Sequence, residues 1–467
     1  MERLKNSRWF SLLIVLTAPF LSLMDIFIIN IAIPAIKKGL HSSNAELQIV
    51  IAGYLLGYAS FMITGGRMGD HFGRKKIFLW GMAVFTLASC WCGLSGSALE
   101  LNIARFLQGG SASLMVPQTI SYIQLLFAEP KARAKAIGIF GLTLGLASML
   151  GQFLGGFFTY YHFAVAGWRL IFFINLPIGI TAMIGASLFI KETPLHTGAR
   201  FDVLGAAILS LALFALIIPI ILGRELGWPL WCIGTLILSV VLFAWFILHQ
   251  KRMLDSKRRP LVDLNLFRIK DLNIGLLCVL ACYMVYNSYL LISTLVLQNG
   301  YHFNALLTGC IFVMFGVGFS SSSFVAMRLV TKIGKVVLQV GTLTMIASLS
   351  LQLWFFSQPT VAPAHVFPLI LLQGISAGWV MPPIMNITLR SVPQQFAGAA
   401  SGLYATVQQA AGALGVSIIG GLFFGHLPDY HVAFQYGAGA ELLMLLVILV
   451  LLHFVPAGGV KGNSLSE

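Results

Sequence analysis

Gly66-Arg67-Met68-Gly69-Asp70-His71-Phe72-Gly73-Arg74-Lys75-Lys76 separates two long apolar stretches, and its reading decides the fold. Arg67, Arg74, Lys75 and Lys76 cannot sit in hydrocarbon, so the segment reads as a short loop fixed on the cytoplasmic side of a bilayer. Topology can be counted outward from it. With 58% hydrophobic and only 9% charged residues among 467, the chain cannot cover a soluble globule with polar surface. A spanning helix needs roughly 20 mostly apolar residues. Fourteen such stretches run over 10–34, 45–66, 77–97, 99–123, 135–158, 169–190, 203–222, 229–248, 273–297, 304–327, 336–356, 365–388, 398–423 and 434–455.

In a soluble protein the formal net charge of +14 would suggest nucleic acid. Here the partner is the lipid bilayer, and the placement of the cations is the information. Putting the N-terminus, with Arg3, Lys5 and Arg8, inside leaves every Lys and Arg on cytoplasmic segments except Lys37, Lys38, Arg224, Arg105 and Arg169. An even number of spans returns the tail, with Lys461, to the same side, so both termini are expected in the cytoplasm. The first apolar run continues to Pro34 with no clear cleavage site, and is expected to remain as helix one.

Several chemistries are excluded on pattern. Cys90, Cys92, Cys232, Cys278, Cys282 and Cys310 all fall in apolar spans without Cys-x-x-Cys pairs or nearby histidine clusters, so they read as buried small hydrophobes and no metal site is expected. No phosphate loop and no Ser/His/Asp set stands out. The chain is therefore read as a non-enzyme without cofactors, with an ion gradient as its energy source.

An internal repeat organises the chain. Leu107-Gln108-Gly109 with Ala112 and Pro117 recurs as Leu372-Gln373-Gly374 with Ala377 and Pro382, an offset of 265. Gly138 and Gly402 are 264 apart, Gly155-Gly156 and Gly420-Gly421 265, and Arg67 and Gly73 lie 261 before Arg328 and Gly334. Two related six-helix halves, 1–200 and 273–467, follow, with two inserted helices over 201–250 and a cytoplasmic loop over 251–272. The loop's Lys251, Arg252, Lys257, Arg258 and Arg259 are read as meeting anionic lipid. Repeat-built transporters bind substrate near the midplane, at the interface of the repeats, and rock one half against the other.

These residues carry a resemblance over almost the full length. The Gly66–Lys76 segment resembles the loop joining helices two and three of the major facilitator superfamily. Leu23-Met24-Asp25 with Asn30, Ala32 and Pro34 resembles the helix-one signature of its fourteen-span drug:proton antiporters. Arg105 with Gln108-Gly109-Gly110 resembles their helix-four motif, and Trp168 through Pro177 the opening of helix six. Together they point to the EmrB/QacA type. Gly151-Gln152 departs from the Gly-Pro usual in the antiporter motif of helix five. The resemblance implies an all-α integral membrane protein of the major facilitator fold, with 14 transmembrane helices arranged 6+2+6.

Asp25 is the one carboxylate placed deep in a span, ~22 Å from the cytoplasmic start of helix one at ~1.5 Å per residue, and Arg105 comes out ~27 Å from the cytoplasmic end of helix four. Both fall in the outer half of the membrane, where a direct or water-bridged pair is possible. Sequence spacing leaves open whether such a pair carries protons or merely fastens two helices. The resemblance implies proton coupling by Asp25 and Arg105. Gly66, Arg67, Asp70, Gly73 and Arg74 are read as a conformational switch in which Asp70 meets a helix dipole of the other half or a neighbouring arginine. Thr331 holds the position equivalent to Asp70 in the second half.

The substrate cavity is expected among Asn30, Gln108, Gln118, Tyr122, Tyr286, Tyr289, Gln373, Asn386, Gln408 and Gln409, although interhelical hydrogen bonding explains many such residues. Glu441, near the start of helix fourteen, is the only other candidate carboxylate. So few buried charges favour monocationic, neutral or zwitterionic cargo over dications. The function read from the chain is proton-coupled export of small amphipathic compounds, a multidrug efflux activity of the bacterial inner membrane. The alternative is a dedicated exporter of one metabolite or siderophore on the same scaffold. One chain is expected to hold one pathway and work as a monomer, with a membrane-fusion protein as a partner by family analogy only.

Overall fold

The computed structural model describes residues 7–161, 165–192, 202–256, 258, 260–393 and 396–454. The expectations placed on Arg3, Lys5, Lys257, Arg259 and Lys461 lie outside the described residues. Fourteen long helices make up the structure: α1 (Arg8–Leu40), α2 (Asn44–Phe72), α3 (Arg74–Leu94), α4 (Ala98–Leu126), α5 (Pro130–Tyr160), α6 (Gly167–Phe189), α7 (Val203–Leu226), α8 (Leu230–Asp255), α9 (Lys270–Gly300), α10 (Ala305–Ile333), α11 (Val336–Phe355), α12 (Pro363–Leu389), α13 (Ala397–Gly425) and α14 (Tyr430–Phe454). Among the described residues, 13 are long and apolar enough to cross a membrane by composition. The remaining one, α4, has its apolar character diluted by Asn102, Arg105, Gln108 and Gln118.

Local chemistry sets the helix ends. Ser43 and Glu46 form a capping box at the start of α2, and Ser97, Asp202 and Asn304 accept backbone N–H groups at the starts of α4, α7 and α10. The helices run past the apolar windows because a polar turn beyond the bilayer costs nothing to hydrate. This corrects the reading of Gly66–Lys76 as a loop: Gly66 to Phe72 are the last turns of α2, and Arg74 already begins α3. Gly73 alone makes the turn, at φ 100°, a conformation that favours glycine.

Helices α1–α6 pack as one group and α9–α14 as another, while α7 packs on α8, α2 and α13. The repeat is visible as backbone contact. Gly109 of α4 closes on the Tyr54 carbonyl of α2, and Gly374 of α12 closes on the Phe315 carbonyl of α10. Gly57 against Phe106 and Gly318 against Leu371 form a second matched pair of close approaches. Small residues at these crossings let van der Waals packing hold helices in lipid, where no hydrophobic drive exists between them.

One end of the bundle carries Arg67, Arg74, Lys75, Lys76, Lys131, Arg133, Lys191, Arg268, Lys270, Lys332 and Arg390, and is called the basic end here. The two halves meet along α2/α13 and α5/α10, and several of their contacts lie toward the opposite end. There Gln48 Nε2 donates to the Val416 carbonyl at 2.8 Å, Gln298 Nε2 to the Ile31 carbonyl at 2.9 Å, and Gly156 packs on Ala305 and Gly309. Toward the basic end, a Cβ added at Gly138, Gly141 or Gly398 would meet nothing within 4 Å.

Candidate functional site

The sequence places one acid and one base in the interior of the first half, and the fold brings them together. At ~1.5 Å per residue the 33-residue α1 is ~50 Å long, and Asp25 sits about midway along it. Asp25 is 0% and Arg105 1% exposed, and Arg105 Nη1 donates to Asp25 Oδ2. Ion pairs in an apolar interior persist only when the remaining donors and acceptors are also satisfied. Asp25 Oδ1 accepts from Gln108 Nε2 at 2.9 Å and Asn175 Nδ2 at 3.0 Å. Arg105 Nε donates to the Val50 carbonyl at 3.1 Å, and Nη1 to Gln108 Oε1 at 2.8 Å. The guanidinium carbon lies 4.4 Å from the Tyr54 ring centroid, a cation–π contact.

Around this pair a second ring of bonds fixes the helices. Asn175 Nδ2 also reaches Ser89 Oγ at 2.9 Å, and Ser89 donates to the Phe172 carbonyl at 2.8 Å. The Tyr54 hydroxyl meets Ser22 Oγ at 3.0 Å. The network thus ties α1, α2, α3, α4 and α6 through one carboxylate. Sequence reasoning found Asp25, Arg105 and Gln108 but gave no role to Asn175, Ser89, Ser22 or Tyr54. Asn175 belongs to the Trp168 to Pro177 motif, which is its signal in the sequence. Arg169 of the same motif donates to the carbonyls of Gly93 and Ser95 at 2.8 Å each, closing the end of α3.

In the turn motif, Asp70 Oδ1 accepts from Arg74 Nε at 3.1 Å and Nη2 at 2.8 Å. Of the two partners considered for Asp70, the neighbouring arginine is the one present. Arg67 points the other way, donating through Nη2 to the carbonyls of Pro260 at 2.5 Å and Leu261 at 3.2 Å. That segment is itself pinned: Asp202 Oδ2 accepts from Leu261 N–H at 3.3 Å and Gln250 Nε2 at 2.8 Å, while Oδ1 meets His249 Nε2 at 2.8 Å. The inserted pair α7–α8 is therefore linked to the turn motif through the chain that follows α8. Burial opposes the Asp202 charge, but bonds from His249, Gln250 and the Gly205 N–H outweigh it and hold the carboxyl below the usual carboxylate range.

The family model of the Major Facilitator Superfamily matches residues 15–416. The chain belongs to that superfamily. Among its relatives, the probable actinorhodin transporter of Streptomyces coelicolor is 34% identical over 91% of this chain and 74% of that protein. The tetracenomycin C resistance and export protein of Streptomyces glaucescens is 31% identical over 91% and 78%, and the putative multidrug resistance protein MdtD of Escherichia coli 28% over 94% and 91%. A solved D-xylose-proton symporter matches with a TM-score of 0.69 at 17% identity, covering 97% of this chain and 99% of that one, which shows the fold. A multi-pass membrane carrier with the 14-helix superfamily fold is thus established, and its helix-four and turn motifs can be followed to their places.

In this superfamily member the expected cavity residues scatter. Gln108 belongs to the ion-pair network. Gln118 Nε2 donates to the Gly65 and Leu114 carbonyls at 2.9 and 3.0 Å, fastening α4 to α2, and Tyr122 donates to the Lys191 carbonyl at 3.2 Å near the basic end. Asn30 Nδ2 is spent on the Ile26 carbonyl of its own helix, at 2.8 Å. Tyr286 faces the seam between the halves, with its ring edge-on to Phe27 of α1 at 6.2 Å. Tyr289 donates to Gln352 Oε1 at 2.9 Å inside the second half, and Gln373 is buried with Oε1 unpartnered. Gln408 and Gln409 are half-buried, and Asn386 is exposed. None of these lines the apolar cavity of about 540 Å³ between α2, α7, α8 and α13, which is walled by Leu209, Leu213, Phe246 and Leu403 and floored by Val262 and Phe267.

One expectation is overturned by depth. Asp25 is not the only carboxylate far inside a span: Glu441 is 0% exposed and lies near the middle of the 25-residue α14. The helix begins at Tyr430, four residues earlier than its apolar window indicated, which moves Glu441 inward.

Proposed function

We propose that this chain is a proton-coupled exporter of small amphipathic compounds, seated in the inner membrane with its basic end and both termini in the cytoplasm. The observation that carries the reading is the Asp25–Arg105 pair, fully buried within a network that crosses five helices of one half. An intramembrane ion pair is costly, and among transporters such pairs mark ion routes. With the basic end inside, the open positions at Gly138, Gly141 and Gly398 lie on the cytoplasmic side. From the outward-facing state, protonation of Asp25 weakens its hold on Arg105, Gln108 and Asn175, releases cargo and lets the halves rock inward. Loss of that proton to the cytoplasm restores the pair and accompanies uptake of the next molecule.

Proton release from energised inverted vesicles containing the purified chain tests this, with a pH dye reporting as monocations, dications and neutral amphiphiles are added. Dissipation by several unrelated compounds, abolished in Asp25→Asn, is expected. Substrate-driven proton flux that survives Asp25→Asn would remove Asp25 from the coupling role. A second reading, a dedicated exporter of one natural product, is favoured by the relatives whose names specify actinorhodin or tetracenomycin C. A response to a single compound of the panel would select it.

A further inference from the structure

The second half contains a buried polar node on the helices that answer, through the repeat, to those of the Asp25 network. Helices α9, α11, α12 and α14 are the counterparts of α1, α3, α4 and α6. On them, Tyr289 donates to Gln352 Oε1 at 2.9 Å, Gln352 Nε2 donates to Ser348 Oγ at 3.2 Å, and Ser288 Oγ lies 2.8 Å from Glu441 Oε1. Gln373 matches Gln108 within the repeated Leu-Gln-Gly motif, and by the same motif Ile370 stands where Arg105 does. The second half therefore has a carboxyl group without the guanidinium.

Two observations bear on the state of that carboxyl. Ser288 Oγ has one proton, yet it sits 2.8 Å from the Met284 carbonyl as well as from Glu441. One proton cannot serve the carbonyls of Met284 and Val285 and the carboxyl together, so Ser288 offers Glu441 at most a single hydrogen bond from a neutral group. Glu441 Oε2 has no hydrogen-bond partner among the described residues. The helices packed on α14 are α9, α11 and α13, and their described sequences facing it supply no cation: α11 and α13 contain no charged residue, and Lys270 and Asp271 of α9 lie ~26 Å from Ser288 along the helix. Tyr289 belongs to the node, and the other titratable groups of α9 and α13, Cys278, Cys282, Tyr283, Tyr286 and Tyr404, are like it uncharged when protonated. An ionised carboxylate so placed would be buried without compensation, which proteins avoid by keeping the group neutral.

We propose that Glu441 is a second proton-binding group of the transport cycle, neutral in this conformation, so that each half carries one exchangeable proton. The inference rests on the proton-coupled reading above only for its role in the cycle. Proton binding itself is tested without any substrate. Infrared difference spectra of the purified protein, recorded against pH in water and heavy water, should show a protonated-carboxyl C=O stretching band that Glu441→Gln removes. An identical band in wild type and Glu441→Gln overturns the proposal, whatever the outcome of transport assays.

For the role in the cycle, protons released per protein on adding a transported compound in detergent should fall by one in Glu441→Gln and by one in Asp25→Asn. Ser348→Ala breaks the Gln352–Ser348 bond without removing a carboxyl, and should leave the count unchanged. A count lowered equally by Ser348→Ala and Glu441→Gln would mean that Glu441 only holds the helices together. A count untouched by Glu441→Gln but lowered by Asp25→Asn would leave the export reading intact and exclude Glu441 from the cycle.

Discussion

Replacing Arg105 by leucine tests whether the central contact is an ion pair in the folded protein. The substitution removes the donors to Asp25, to Gln108 and to the Val50 carbonyl, and leaves a carboxylate that is 0% exposed with only the amides of Gln108 and Asn175. Breaking a buried pair from one side costs ~3–5 kcal/mol, because the remaining charge is uncompensated. Asp25→Asn strands the arginine instead, and a loss of similar size is expected by the same argument. Removing both charges leaves neither stranded, so Asp25→Asn/Arg105→Leu should be more stable than either single variant, with a coupling of ~2 kcal/mol or more. Thermal unfolding in one detergent, followed by tryptophan fluorescence for the four proteins of the cycle, measures this. Additive losses, with the double variant the least stable, would refute the reasoning and leave the contact as packing alone.

Three further perturbations address other parts of the structure. Gly73→Ala forces a Cβ onto a residue at φ 100° and against the Glu192 carboxyl group, so a loss of ~1–3 kcal/mol and slower turnover with unchanged substrate binding are expected from unfolding and flux assays. Asp202→Asn should lose ~1–3 kcal/mol of stability at neutral pH by weakening the bonds from His249, Gln250 and Leu261. The folded carboxyl of Asp202 titrates below its unfolded value of ~3.9, so its contribution is present above that value and lost as pH falls through the folded one. The gap between wild type and Asp202→Asn should therefore close only in acid below about pH 4, and a gap that closes near neutral pH would assign the effect to His249. Gln152→Leu removes two unpartnered amide atoms buried at the α5/α10 seam, and should stabilise this conformation by ~1–3 kcal/mol while slowing transport. A less stable variant would show that the amide is satisfied by a bound group.

How much could be read from the chain depends on the range of the force involved. Span number followed from hydropathy, since roughly 20 apolar residues per helix is a local requirement. The repeat followed from glycines that must let backbones touch, as Gly109 and Gly374 do. Asp25 and Arg105 could be paired because depth along a helix is a linear count. Lateral position is not. Gln118 and Tyr122 share the helix of Arg105, yet their bonds to the Gly65 and Lys191 carbonyls depend on which neighbour each faces. The link from Arg67 to residues 260–261 joins segments almost two hundred residues apart through backbone carbonyls, which have no sequence signature.

The two halves share their close crossings but not their charges, and this difference has a mechanical consequence. In the proposed cycle the Asp25 carboxylate of the first half is offset by a guanidinium, and its bonds to Arg105, Gln108 and Asn175 draw α1, α4 and α6 together. In the second half Ile370 replaces the arginine and Glu441 has nothing to draw on but Ser288. Deprotonation there would require water to reach α14, which means loosening the contacts of α9 with α11 and α14. On these two proposals one carboxyl favours closure of its half when it ionises, and the other favours opening. Opposed responses to the same loss of protons would bias the rocking motion, whereas two identical ion pairs would tighten both halves together and leave the direction of rocking undetermined.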